Sequence, residues 1–248
     1  MKLVSFNLRC PVKNDGINYL PNRIPFVVQK LRMELPDVIG FQEIEELGTE
    51  LLTDALPEYW FIGYGRNKDW TGEGTKVAIH KNTVLLLAFD QLWLSPTPRV
   101  PGSRYAEQSD CPRVVLWCKL LHKSSGKMFY FINTHLDHRG DRARFLGLQM
   151  IFDLIKQLKL QEDLPVFVTG DFNFTPESIT YDLIRESGFI DLTDKLQGTF
   201  HGFGKVEPQK IDYILTDSEE EYTSFRWHEF YDGVYLSDHD PICLEWKI

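Results

Sequence analysis

Apolar positions along the chain switch between a period of two and a period near 3.6, and these switches predict the elements. Lys2 to Asn7 reads as a first strand and Asp37 to Glu43 (DVIGFQE) as a second, short and continuously apolar as a buried strand is. Arg23 to Leu35 reads as a helix, with Phe26, Val27, Lys30, Leu31 and Leu35 on one face, Pro25 early and Pro36 closing it. Glu45 to Leu56 is a second predicted helix. The middle is strand-rich, with candidates at Lys76 to His80, Thr83 to Leu94, Arg113 to Leu121 and Lys127 to His135. Asp141 to Leu160 carries Phe145, Leu148, Ile151, Phe152, Ile155 and Leu158 at helical spacing. A strand at Leu164 to Thr169, a helix at Glu177 to Ser187, and strands at Ile211 to Leu215, Thr223 to Phe230 and Pro241 to Trp246 complete the pattern. Ser95 to Pro112 reads as a long ordered loop, and the glycine-rich Gly63 to Gly74 as a mobile one. Helices and strands in this order predict α/β layers with at least one mixed or antiparallel sheet.

Composition adds bounds. The 248 residues contain 43% hydrophobic and 25% charged residues, enough for a sizeable core, and no linker or repeat divides them; residues 1–248 are expected to form a single domain. Lys plus Arg is 27 against 36 Asp plus Glu, a formal net charge of −9, which argues against a dedicated duplex-DNA binder with a basic face. No run is long and apolar enough to span a membrane, and the first residues lack the unbroken apolar stretch of a secretory signal. Cys10, Cys111, Cys118 and Cys243 show no C-x-x-C or zinc spacing and read as reduced thiols. The expectation is a cytoplasmic protein without membrane insertion.

Chemistry concentrates where strands end. Asn7, Gln42-Glu43, Asn133-Thr134-His135 and Gly170-Asp171-Phe172-Asn173 close strands, Asp212 opens one, and Ser237-Asp238-His239-Asp240 precedes the last. A single acidic residue there is an ordinary turn former. Six polar strand ends are more simply explained by convergence on one site at the end of a sheet. Carboxylate and amide oxygens suit Mg²⁺, and two histidines offer a base and an electrostatic partner. This is a kit for phosphoester hydrolysis, in which negative charge builds on non-bridging and leaving oxygens. The segment Gly63 to Gly74 is followed by neither a lysine-serine pair nor a helix, so it is not a phosphate-cradling loop.

Six segments in order, SFNLR (5–9), GFQE (40–43), NTHLDH (133–138), GDFN (170–173), KIDYIL (210–215) and SDHDPI (237–242), resemble the endonuclease/exonuclease/phosphatase family, the fold of pancreatic-type deoxyribonuclease. Leu92 to Pro98 and Pro101 to Ser103 look most like stand-alone bacterial members related to nocturnin-type and deadenylase-type proteins. The resemblance implies a four-layer α/β/β/α sandwich, two mixed sheets flanked by helices. It implies Glu43 as principal Mg²⁺ ligand (Mn²⁺ substituting), with Asn7 beside it and Asp238 in the same cluster. His239 resembles the catalytic histidine, oriented by Asp212. Asp171 resembles the carboxylate that positions or deprotonates water, Asn173 the amide on the scissile phosphate, and His135 a donor to the phosphate or leaving oxygen; either Asp171 or His239 takes the proton. Arg113 is implied as a phosphate contact. The implied activity is in-line hydrolysis of a phosphoester, with a nucleotide or single-stranded nucleic acid first. A phospholipid, as in sphingomyelinases, is second, and an inactive binding module on the same fold is the rival from another class. No protein partner is implied, and the chain is expected to be a monomer. Arg139, Arg142 and Arg144 form either a solvated helix start or a phosphate-steering rim. His138 is read as structural or rim, and His80, His122, His201 and His228 as surface or core. Trp93 and Tyr105 are candidates for stacking on a base, with core packing the alternative for Trp93.

Overall fold

A computed structural model describes residues 1–248. The chain runs β1 (Lys2–Asn7), α1 (Leu20–Glu34), β2 (Val38–Gln42), α2 (Glu46–Ala55), β3 (Tyr59–Ile62), β4 (Val77–His80), β5 (Val84–Trp93), β6 (Val114–His122) and β7 (Met128–His135). It continues through α3 (Asp141–Gln161), β8 (Val166–Asp171), α4 (Ile179–Ser187), β9 (Ile190–Asp191), β10 (Asp212–Thr216), β11 (Tyr222–Arg226), β12 (Phe230–Tyr231), β13 (Val234–Tyr235) and β14 (Ile242–Trp246). α1 starts earlier than the periodicity implies because Pro21 lies at its N-terminus, where a missing N–H costs nothing. It stops at Leu35, which turns left-handed (φ 47°) ahead of Pro36.

The strands form two six-stranded mixed sheets, ordered β11-β14-β1-β2-β4-β3 and β5-β6-β7-β8-β10-β9. Each is antiparallel except for one inner parallel pair, β1 with β2 and β7 with β8. The sheets stack face to face. Leu3, Val38, Val77 and Ile79 of one meet Leu116, Phe129, Phe131, Phe167 and Ile214 of the other. On the outer faces, Leu20, Ile24, Val27 and Leu31 of α1 cover the first sheet, and Leu148, Ile151, Ile155 and Leu158 of α3 cover the second. The result is the α/β/β/α sandwich. The inner strands are buried on both faces, which is why they read as continuous apolar runs.

Four expectations need correction. Thr223 to Phe230 is not one strand: β11 stops at Arg226, which pairs with Ile242 at the start of β14, and Phe230 belongs to the small β12-β13 hairpin. Tyr59 to Ile62 forms a strand that the pattern does not announce. Gly63 to Gly74 is not a loose loop, since bridges join Gly74 to both Ile44 and Gly65, and Trp70 packs edge-on to Trp93. Phe145 of α3 faces outward rather than into the core.

Register carries the strand ends to one place. Asn7 lies opposite Gln42, and Asp171 lies opposite both His135 and Asp212. The carboxyl ends of the two parallel pairs therefore open at the same edge of the sandwich. Beneath that edge a polar brace joins the sheets. Gln42 Nε2 donates to Asn133 Oδ1 (2.7 Å), Thr169 Oγ1 to the same oxygen (3.1 Å), and Asn133 Nδ2 to the Phe41 carbonyl (2.8 Å). Gln42 and Asn133 thus support the site from below rather than line it. Gly40 is required there because a Cβ would meet Thr169 Oγ1 at 2.6 Å and Asn133 Oδ1 at 2.7 Å.

Candidate active site

Three chain turns deliver the polar residues. Arg9, Glu43 and Asn173 follow the ends of β1, β2 and β8, and all three take left-handed backbone angles (φ 59°, 53° and 54°). Asparagine adopts this conformation readily, but for arginine and glutamate it costs about 1–2 kcal/mol. Such strain persists where the surroundings hold it, and it collects at functional sites. Here hydrogen bonds hold it: Cys10 N donates to Glu43 Oε2 (3.2 Å), Arg9 N to Asn7 Oδ1 (3.0 Å) and Asn173 N to Asp171 Oδ1 (2.9 Å).

The turns open into a cleft of about 540 Å³ whose wall includes Glu43, Arg113, His135, Asp171, Asn173, Asp238 and His239. Asn7 and Asp212 are buried just behind this wall. A continuous contact chain crosses its floor. Thr199 Oγ1 donates to Asp212 Oδ2 (2.5 Å), the same oxygen accepts from His239 Nδ1 (2.8 Å), and His239 Nε2 lies 3.7 Å from Asp171 Oδ2. Asn7 Nδ2 donates to Asp171 Oδ2 (3.0 Å) and Glu43 Oε1 (3.2 Å). On the far side, His135 Nε2 stands 3.5 Å from Asp171 Oδ2 and 2.9 Å from Asn173 Nδ2.

The two histidines differ in charge. Burial opposes a proton on His239, but Asp212 and Asp171 override it and raise its pKa well above the usual imidazole value. His135 is buried against Arg113 and Arg66, and its pKa falls well below that value. Asp171 is pushed up to about 7 by burial and by the charges of Asp212 and Glu43. Burial and the Glu43 charge raise Asp238. Glu43 is desolvated too, yet His239, Arg9 and the Asn7 amide bring it below the ordinary range.

Four carboxylates (Glu43, Asp171, Asp212 and Asp238) gather where Arg9 and the His239 ring supply the facing positive charge. Arg9 lies 3.6 Å from Asp238 and 3.9 Å from Glu43. A divalent cation fits this surplus of negative charge, and the donor set of carboxylate and amide oxygens is that of Mg²⁺ or Mn²⁺. Glu43, His135 and Asp171 each place a ligand atom within 4.8 Å of the others.

Several residues at the site are not announced by the sequence pattern. Arg23 on α1 is fully buried and donates to the carbonyls of Leu8 (2.8 Å), Arg9 (2.9 Å), Asn18 (2.6 Å) and Leu236 (2.7 Å). It ties the turn after β1 to the segment that carries Asp238 and His239. Asp137 accepts from Ser109 Oγ, Gly140 N (2.7 Å) and Arg139 N (3.0 Å), and lies 3.7 Å from Arg113 Nε. The long loop of 95–112 is thus anchored so that Arg113 enters the cleft. Arg66 and Glu73, paired at 2.8 Å, come from the bridged glycine-rich segment.

Other expected residues stand elsewhere. Trp93 is buried with Nε1 donating to the Arg66 carbonyl, and Tyr105 packs toward α3, so neither offers a face to a base. Phe200 is the aromatic ring of the cleft wall, and it packs on His239 at 4.9 Å. Arg144 is tied to Asp141 and the Asp137 carbonyl, and Arg142 lies near Glu107, so this cluster is a helix start with only Arg139 free of an acidic partner. His138 Nδ1 is 2.9 Å from Arg113 Nη2. His201 and His228 meet at Asp240 behind the cleft, at 3.3 and 2.9 Å.

Fold and cleft together define a phosphoester hydrolase built on a two-sheet sandwich. The chain belongs to the Endonuclease/Exonuclease/phosphatase family, which it matches over residues 4–239. It is similar to an endonuclease/exonuclease/phosphatase from Bacteroides vulgatus, with a TM-score of 0.91 and 30% identity over 99% of this chain and 98% of that one. It is also similar to the mannosyl-6-phosphatase Bt3783 of Bacteroides thetaiotaomicron, with a TM-score of 0.90 and 26% identity over the whole of both chains. The human Nocturnin catalytic domain shares the fold, with a TM-score of 0.76 and 17% identity over 100% of this chain and 94% of that one.

Proposed function

We propose that the protein is a Mg²⁺-dependent hydrolase of a small phosphoester, acting by in-line attack of water, with residues 1–248 working as one domain. The supporting observation is the run Asp212–His239–Asp171 beside Glu43, with His239 Nδ1 2.8 Å from Asp212 and its Nε2 3.7 Å from Asp171. Glu43, Asn7 and Asp238 are the residues that would hold the metal, which when bound would supply positive charge to a non-bridging oxygen of the phosphoryl group.

Asp171 is the stronger candidate for the base. Its pKa lies near neutrality, where a general base works best, whereas His239 already carries a proton. His239, kept charged by Asp212, then faces the phosphoryl oxygens as an electrostatic partner. Asn173 and His135 stand together on the other side of Asp171 and hold the phosphoryl or leaving oxygen. Arg113 contributes charge from the wall. A small substrate fits the cleft volume and the paired rim arginines, and it accords with the phosphatase activity named for the Bt3783 relative. Cys10 and Cys111 are free thiols in the cleft wall, in keeping with action in the cytosol.

The test is a panel of p-nitrophenyl phosphate, its bis ester, nucleotides, sugar phosphates, single- and double-stranded nucleic acid and phospholipid, each with Mg²⁺ and with chelator. Metal-dependent turnover of a small ester above long duplex and lipid is the expected result. Absence of turnover on every member would leave the binding-module reading in its place.

A further inference from the structure

Behind the cleft wall lies a second, much smaller hollow, lined by Arg66, Glu73, Thr75, Arg113 and His135 among others. It shares Arg66, Glu73, Arg113 and His135 with the cleft, so the two adjoin. Its free volume is about 10 Å³, room for one water-sized oxygen and no more. Two of its lining side chains are buried with polar atoms that find no partner. Arg113, 4% exposed, leaves Nη1 without a hydrogen bond while its Nε faces Asp137 at 3.7 Å, and Thr75, 3% exposed, leaves Oγ1 without one. A buried donor without a partner is costly, the more so on a charged group, so these atoms are built to meet an oxygen.

We infer that this hollow is a hydroxyl subsite, receiving one oxygen of the leaving group from Arg113 and Thr75, and that the substrate is a phosphoester of a hydroxyl-rich, non-aromatic alcohol of sugar type. This rests on the reading of the adjoining cleft as the phosphoester site. Size decides against a second phosphate, because a tetrahedral group with four oxygens does not enter space for one. Size alone makes this exclusion: the Glu73 carboxylate in the lining is held by Arg66 at 2.8 Å, and it remains able to accept a hydrogen bond from a neutral hydroxyl. A nucleobase is disfavoured by the wall: Phe200 is occupied by His239, Trp93 is buried and Tyr105 packs toward α3. In the free protein a single water satisfies the same atoms, and the substrate hydroxyl takes its place.

The experiment compares hexose 6-phosphate with cyclohexylmethyl phosphate, which has the same ring size and phosphate but no hydroxyls. Measurements use Mg²⁺-loaded native protein, Thr75→Val and Thr75→Ser, with melting temperature recorded for each. The native protein is expected to favour the hexose ester in kcat/KM by about tenfold or more, as one hydrogen bond to a charged donor implies. Thr75→Val removes the neutral partner and leaves Arg113 in place, so the preference falls by about threefold or more, and Thr75→Ser keeps it. Equal kcat/KM for the two esters in the native protein, or a ratio that survives Thr75→Val, would show that the hollow holds only a structural water. A preference for hexose bisphosphate over both would make it an anion site instead. Turnover of both esters without preference, or of p-nitrophenyl phosphate or a nucleotide but neither of these esters, overturns the subsite alone; no turnover of any of them overturns the proposed function with it.

Discussion

At Asp171, opposing influences meet on one carboxylate. Burial and the Asp212 charge raise its pKa, and the His239 imidazolium lowers it, leaving it at about 7. If Asp171 accepts the water proton, kcat/KM rises with pH up to an apparent midpoint no higher than about 7, because a cation beside Glu43 favours the ionised form and moves the midpoint down. A profile that falls between pH 5 and 7 would assign the proton to another group, and Asp171→Asn removes the rising limb. The histidine pair gives a second expectation. His239→Ala lowers kcat/KM by at least about 10²-fold, through loss of a positioned charge. His135→Ala is comparable, and the double variant falls well short of the product, because both rings border the same carboxylate. Strictly multiplicative losses would place them in separate sites.

Arg23 shows what a sequence withholds at this scale. On an amphipathic helix an arginine reads as solvent-facing, yet this one is fully buried and satisfies four carbonyls that come from three separate turns. Only the tertiary arrangement reveals those acceptors. Arg23→Met leaves them unpaired and lowers stability by about 3 kcal/mol or more in a denaturant titration; a loss below about 1 kcal/mol would mean that water replaces the guanidinium.

Among elements, those on which the site rests were the legible ones. β1, β2, β7, β8 and β10 are buried on both faces, so their apolar runs end abruptly at a polar residue, and that break marks the edge of the sandwich. The same break does not tell which polar end faces the cleft. Glu43 enters it because the chain turns left-handed after β2, whereas Gln42, one residue earlier, points between the sheets to Asn133. Arg66, Glu73 and Thr75 were hidden for a different reason: a glycine-rich stretch without periodicity gives no sign of the bridges that fold it against the site. The brace beneath the site carries its own expectation. Gly40→Ala forces a Cβ against Thr169 and Asn133 and costs about 1–3 kcal/mol of overpacking. That corresponds to a melting temperature lower by roughly 2–12 °C, and an unchanged value would show that the sheets separate freely there.

For the molecule as a whole, charge sets the substrate range. The net charge is −9, and Arg99, Arg104 and Arg144 are all matched by acidic neighbours. No basic track leads from the cleft, so the substrate is expected to make about two or three phosphate contacts, and log(kcat/KM) against log[salt] to fall with a slope of about −1 to −3 at fixed Mg²⁺. A slope near −6 on duplex DNA would reveal an extended basic surface. If the carboxylates of the cleft hold Mg²⁺ as proposed, metal binding and folding are linked. Mg²⁺ at about 100 times its dissociation constant adds roughly 2.7 kcal/mol of stability, a melting shift of about 5–10 °C for a chain of this size, and Glu43→Gln reduces the shift.

In the proposed reaction Glu43 and its neighbours hydrolyse a phosphoester through a bound divalent cation. Its most direct test is the rate of hydrolysis of one small ester, p-nitrophenyl phosphate, as Mg²⁺ is added to chelator-treated protein. The rate should rise from background to saturation with native protein, and at saturating Mg²⁺ the Glu43→Gln protein should be about 10³-fold slower, as loss of a metal ligand worth several kcal/mol requires. Undiminished turnover in excess chelator, or a Glu43→Gln protein as active as the native one, would contradict it.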